Sequence, residues 1–135
     1  MAELAARARR LDGYRHEVIT AGFELIVDEP PASGGTGAGP APTDLLAAAL
    51  ASCTATTMEM YADRKGWDLD GVAVTVNTEG RLATNDRTYE VVLELPGSLD
   101  ETQRGRLTKI AAKCPVHKAI ATSIPVSVVA AGNAP

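Results

Sequence analysis

The chain has 135 residues, 45% of them hydrophobic and 22% charged, which is the composition of one globular domain, residues 1–135, large enough for a packed core. A net charge of −4, with one short basic cluster (RARR, 7–10), argues against nucleic acid, whose phosphates call for clustered Lys and Arg. No apolar run nears the ~20 residues of a membrane span, and the first fifteen residues lack a signal-peptide core, so a cytoplasmic protein with no membrane partner is expected.

Residues 5–27 read as short strands. Asp12-Gly13 marks one hairpin turn, and Ala21-Gly22, between YRHEVIT and FELIV, marks a second. Residues 28–42 (DEPPASGGTGAGPAP) are too rich in Pro and Gly to hold a regular element and form an internal loop. Its GGTGAG lacks the Lys-Ser/Thr of a phosphate-binding loop and does not follow that motif's pattern.

A long central helix follows over 43–65. Thr43 is the expected N-cap and Asp44 the acidic residue of the first turn. Leu46, Ala49, Leu50, Cys53, Thr57, Met60 and Tyr61 form an apolar stripe, and alanines on the other faces suggest burial nearly all round. Arg64, Lys65 and Gly66 make the stop. At 1.5 Å per residue such a helix is roughly 35 Å long, the width of a small domain.

Val72, Val74 and Val76 then alternate with polar residues in one strand, ATND (83–86) turns the chain, and Tyr89, Val91, Leu93 and Leu95 share one face of the next. Ser98 and Glu101 form a capping box for a second helix with Leu107, Ile110 and Ala111 on its apolar face, reaching Lys113. A short helix restarts after Cys114-Pro115. Val126 and Val128 belong to a last strand, and residues 130–135 form a loose tail. Two helices with antiparallel or mixed strands make the chain α+β. With only 4% aromatic residues, the core is built of small side chains, and a second subunit would help it bury enough area.

The chemistry rests on two cysteines. Cys53 on the helical stripe is either a small buried hydrophobe or a reactive thiol. Cys114 stands at a helix start with Pro115 as first helical residue, where free N–H groups and nearby Lys113, His117 and Lys118 favour thiolate; packing or capping is the other reading. Cys114 and His117 have the spacing of two zinc ligands, but structural zinc takes four. The same two residues could form a nucleophile–base pair, though no third member is apparent. No cofactor motif is present.

The stretches PAPTDLLAAALASCT, YADRKGWDLDGVAVTV and AAKCPVHKAI, with the loop DEPPASGGTGAGP, closely resemble the OsmC/Ohr family of peroxide-reducing proteins, over residues 28–127. The chain looks more like a general OsmC-like member than a clear Ohr. The resemblance implies an intertwined homodimer with sheets around long central helices and sites at the subunit interface. It also implies a mechanism in which Cys53 is oxidised by a small hydroperoxide to a sulfenic acid, Cys114 resolves it as a disulfide, and a dithiol reductant restores both thiols. In peroxidase members an arginine from the N-terminal strands and a glutamate near the start of the central helix flank the first cysteine. Arg10 is the first choice for that arginine, with Arg9 and Arg15 close behind. Thr43 occupies the glutamate's place and Asp44 is one residue along. That departure keeps a second reading open, a non-catalytic small-ligand-binding or redox-sensing dimer.

Overall fold

A computed structural model describes residues 3–80, 86–122 and 124–131. The chain folds as two compact units, Met1–Ala49 and Leu50–Pro135. The elements are α+β: five strands in two antiparallel sheets, one long helix and two shorter ones. No helix among the described residues is long and apolar enough to cross a membrane.

In the first unit, β1 (Arg7–Asp12), β2 (Arg15–Thr20) and β3 (Phe23–Val27) form a meander in the order β1-β2-β3. The Asp12↔Arg15 pair encloses Gly13-Tyr14 and the Thr20↔Phe23 pair encloses Ala21-Gly22. Both two-residue turns use left-handed backbone, with φ of 49° at Gly13, 52° at Ala21 and 84° at Gly22. That sense matches the right-handed twist of the strands it joins. Phe23, Leu25 and Ile26 on β3 are exposed.

The loop after β3 is ordered around one side chain. Asp28 is 1% exposed, and its carboxylate accepts from the Thr36 hydroxyl at 2.6 Å and from the backbone N–H groups of Glu29, Thr36 and Ala38 at 2.8–3.2 Å. The Thr36 hydroxyl, helped by those amides and opposed by burial, holds the carboxyl down at about 2. To pass this close the chain needs glycine: a Cβ on Gly35 would strike the Glu29 carbonyl, and one on Gly39 the Ile26 carbonyl. The glycines of GGTGAG therefore serve backbone approach around an aspartate. The expectation that residues 28–42 hold no regular element needs correction at one turn, since Pro31–Ser33 is a 3-10 helix. Pro31 at its first position carries a φ already fixed for a helical start.

Helix α1 spans Pro42–Lys65. Thr43 is not its N-cap: the helix opens at Pro42, the Ala41 carbonyl accepts from Asp44 and Leu45, and the Asp44 carboxylate reaches back to the Ala41 N–H at 2.9 Å. Proline suits the first helical position because no intrahelical acceptor exists there for its missing N–H. The other end closes as expected at Gly66 (φ 71°), with Trp67 N–H on the Ala62 carbonyl and Gly66 N–H on that of Asp63. The buried residues are Leu50, Thr54, Met58 and Ala62, a strict i, i+4 row. The expected stripe was misplaced at its C-terminal half, where Met60 is 58% exposed, and burial nearly all round does not hold, since Ala48 and Ala49 are exposed. An alanine-rich helix offers little difference between faces, so periodicity alone does not select the buried one.

In the second unit, β4 (Ala73–Glu79) pairs with β5 (Thr88–Glu94), aligning Val74 with Leu93 and Val76 with Val91. Of the turn expected at 83–86, residues 83–85 lie outside the described residues. Met58, Ala62, Leu69, Leu99, Leu107 and Ala111 form the core, with Tyr61, Trp67, Val74 and Leu93 packed against it. Helix α2 (Glu101–Ala111) is capped by Asp100 and Gln103, which exchange side-chain and backbone bonds at 2.8 Å, not by Ser98 and Glu101. The box falls two residues later because the Leu99 N–H is already bonded to the Pro96 carbonyl in the preceding turn. The helix also ends at Ala111, short of Lys113. Helix α3 is Pro115–Ala121.

The last strand expected at Val126 and Val128 is not formed: 124–131 carry no regular structure, and these valines are 83% and 90% exposed. Alternation supplies an apolar face, but a strand also needs a hydrogen-bonding edge, and this segment pairs with none among the described residues. Of the tail at 130–135, residues 132–135 lie outside the description.

Candidate functional site: two neighbouring thiols

Cys53 lies on α1, one turn after Leu50. Cys114 is the N-cap of α3, where its sulfur accepts from the His117 backbone N–H at 3.4 Å. The Cys53 side chain is near enough to Cys114 to favour its ionisation, and neither cysteine is in a disulfide. Cys114 is fully buried, whereas Cys53 is partly exposed.

Burial pushes the Cys114 thiol up, as for any anion moved out of water. Hydrogen bonds outweigh it: from the Cys53 thiol first, then the backbone N–H groups of His117 and Val116, then Thr54, and together they hold Cys114 below the ordinary thiol value. The Thr54 hydroxyl also donates to the Leu50 carbonyl at 2.7 Å.

Two small cavities are lined by residues of α1 and α3, the helices of the two cysteines. One, of about 120 Å³, is lined by Thr54, Val91, Leu93, Thr108 and His117. The other, of about 210 Å³, is lined by Leu50, Arg87, Tyr89, Val91, His117 and Ile120. His117, whose backbone N–H reaches the Cys114 sulfur, borders both. Among the described residues no cluster of three or more His, Cys, Asp or Glu could hold a metal ion.

The arginines named from the sequence lie in the other unit, each with a local partner. Arg10 Nε donates to the Gly13 carbonyl at 3.0 Å, Arg9 pairs with Glu17 at 3.5 Å, and Arg15 pairs with Asp12 at 2.7 Å. Asp44 is occupied in capping α1. Sequence reasoning missed Thr54 and Arg87. For Thr54 no signal stood out. For Arg87 one did: it continues the inward parity of Tyr89, Val91 and Leu93, and a charge on that face of an alternating strand asks for a partner.

An α+β chain of two small antiparallel sheets and a long helix carries its two cysteines on that helix and at the start of α3. The model of the OsmC-like protein family matches residues 35–129, and the chain belongs to that family. Among solved structures it is similar to an osmotic-stress-induced and detoxification-response protein of Psychrobacter arcticus, with 25% identity, 88% of this chain and 89% of that one covered, and a TM-score of 0.77. It is also similar to an organic hydroperoxide resistance protein of Legionella pneumophila, with 25% identity, 85% and 86% covered, and a TM-score of 0.63. An organic hydroperoxide resistance protein of Bacillus subtilis, at 22% identity, 87% and 90% covered and a TM-score of 0.59, shares the fold. Among curated proteins none matches. Family membership and these neighbours connect the chain with the stress-response and peroxide-related proteins of the fold.

Proposed function

We propose that the protein is a thiol-dependent reductase of small organic hydroperoxides. The observation that supports this reading is the nearness of the Cys53 and Cys114 side chains, with Cys114 seated at the start of α3. Attack needs a sulfur that is both ionised and reachable. Cys114 is the buried member, so Cys53, the partly exposed one, takes the attacking role.

The Cys53 thiolate attacks the terminal peroxide oxygen. The O–O bond breaks, Cys53 becomes a sulfenic acid, and the alkoxide leaves and takes up a proton as the alcohol. The Cys114 sulfur then displaces hydroxide from the sulfenic sulfur, forming the disulfide and, with one proton, water. A small dithiol reduces the disulfide by two exchange steps. Arg10 is assigned the role of the arginine that favours thiolate, by the family resemblance. The exposed apolar residues of β3 and of 124–131 favour a homodimer that covers them. A cytosolic setting, where dithiols keep such cysteines reduced, goes with this activity.

The test is consumption of cumene hydroperoxide with dithiothreitol. Turnover at about 1–10³ s⁻¹ is expected of the wild type, with loss in Cys53→Ser, stalling after one equivalent in Cys114→Ser and slowing in Arg10→Met. A rate unchanged in Cys53→Ser rules the mechanism out. Light scattering gives the mass in solution, and a monomer at all concentrations removes the dimer.

A further inference from the structure

We infer that the cavity of about 210 Å³ beside α3 binds a small organic monocarboxylate, its anionic end held by Arg87 and Tyr89 and its apolar body against Leu50, Val91 and Ile120. The inference starts from two unsatisfied groups. Arg87 Nε and Tyr89 Oη are both shielded from solvent, and among the described residues neither atom has a hydrogen-bond partner. Both residues line the same cavity. Buried donors without acceptors are rare in folded proteins, and a guanidinium is the costliest of them to leave so.

Their placement follows from the strand. Arg87 immediately precedes β5 and Tyr89 is its second residue, so the two share the parity of Val91 and Leu93. A cation and a hydroxyl thus stand at one end of a wall that is otherwise apolar. Among the described residues, the cavity's lining includes no Asp or Glu.

The ligand's class follows from charge, size and lining. One guanidinium and one phenol suit a single negative charge, and a carboxylate accepts from both with its two oxygens. A phosphate dianion would need more donors than this wall provides. The cavity is smaller than the ~300–1,000 Å³ typical of pockets for drug-sized molecules, so the body is limited to a short alkyl chain or one ring. The inference does not rest on peroxide turnover, because it concerns occupancy and not the thiols.

Titration calorimetry with benzoate tests it on the full-length protein, with benzamide as the uncharged match and inorganic phosphate as the alternative anion. Benzoate is expected to bind, and benzamide and phosphate to bind at least about tenfold more weakly, the effect of one charge-assisted contact. Arg87→Met should weaken benzoate by about tenfold or more and Tyr89→Phe by several-fold, while Cys53→Ser, Cys114→Ser and Arg10→Met leave its affinity unchanged. Should Arg87→Met not fold, Tyr89→Phe, which removes one oxygen, carries the test together with benzoate-induced methyl shifts of Val91 and Ile120. No benzoate binding by the wild type, equal affinity for benzamide, or an affinity unaffected by Tyr89→Phe overturns the inference. Benzoate binding with no peroxide turnover would leave this inference standing and remove only the peroxidase reading.

Discussion

The Cys114 sulfur accepts from the His117 backbone N–H at 3.4 Å, and the neighbouring Cys53 side chain favours its ionisation. Cys53 is the reachable sulfur and Cys114 the buried one, so ionisation and access are divided between two residues. Removing the Cys53 thiol should separate them. In Cys53→Ala, Cys114 loses the first of its hydrogen bonds while its burial remains, and its ionisation moves to higher pH. Ultraviolet thiolate absorbance followed against pH gives the comparison: the first thiol transition of the wild type should lie below the ~8.5 of a free thiol, and that of Cys53→Ala above the wild-type midpoint. Coincident curves would dissolve the pair.

Asp28 makes the first unit's loop sensitive to acid. Its folded value of about 2 lies below the ordinary carboxylate value of 3.8, so the stability it contributes is fully present above 3.8 and is lost as pH falls through about 2. Asp28→Asn replaces an oxygen that accepts three of the loop's hydrogen bonds with an amide or turns its nitrogen toward N–H groups. The variant should unfold at lower urea than the wild type at neutral pH, with the gap closing between 3.8 and about 2. A gap that stays constant across that window would show that the carboxylate charge is not what holds the loop.

Two glycine-to-alanine changes should act in opposite directions. Gly39→Ala drives a methyl into the Ile26 carbonyl and should cost about 1–3 kcal/mol. Gly105, inside α2, has open space around its would-be Cβ, and Gly105→Ala should add about 0.5–1 kcal/mol by helix propensity. Denaturant midpoints measure both, and a destabilised Gly105→Ala would contradict the open surroundings of that position.

Neighbouring methionines on α1 report which face is buried. Met58 is fully buried and Met60 is 58% exposed. Met58→Ala should cost about 2–5 kcal/mol, and Met60→Ala should stay within about 0.5 kcal/mol. If unfolding of the isolated chain gave equal losses, a further surface would have to cover Met60. A dimer whose Met60→Ala loss grows with protein concentration would be that case.

Local chemistry was legible wherever neighbours in sequence settle it. The two hairpins follow from turn residues that accept left-handed backbone, the C-terminal stop of α1 from Gly66, and the start of α3 from Pro115 behind a sulfur able to cap. The alternation of β4 and β5 was read from parity alone, and the family from four short stretches. The misses have a common cause. Thr43 and Ser98 are good caps by type, but Pro42 and the turn at Pro96 had already shifted the first helical residue. The buried row of α1 turned from Met60 to Met58 because an alanine-rich helix packs by what meets it, not by its own contrast.

By itself, the sequence determined the two N-terminal hairpins, the long helix, the pairing faces of β4 and β5 and the presence of two thiols in separate motifs, because backbone preference and periodicity act over a few residues. Only the tertiary structure decided that Cys53 lies near Cys114, that Asp28 gathers the glycine loop around its carboxylate, and that Arg87 and Tyr89 line one cavity with residues of α1 and α3. The first two join residues 61 and 8 positions apart, and the third joins separate elements. Hydrogen bonding and desolvation are set by distance in space, which no spacing along the chain encodes.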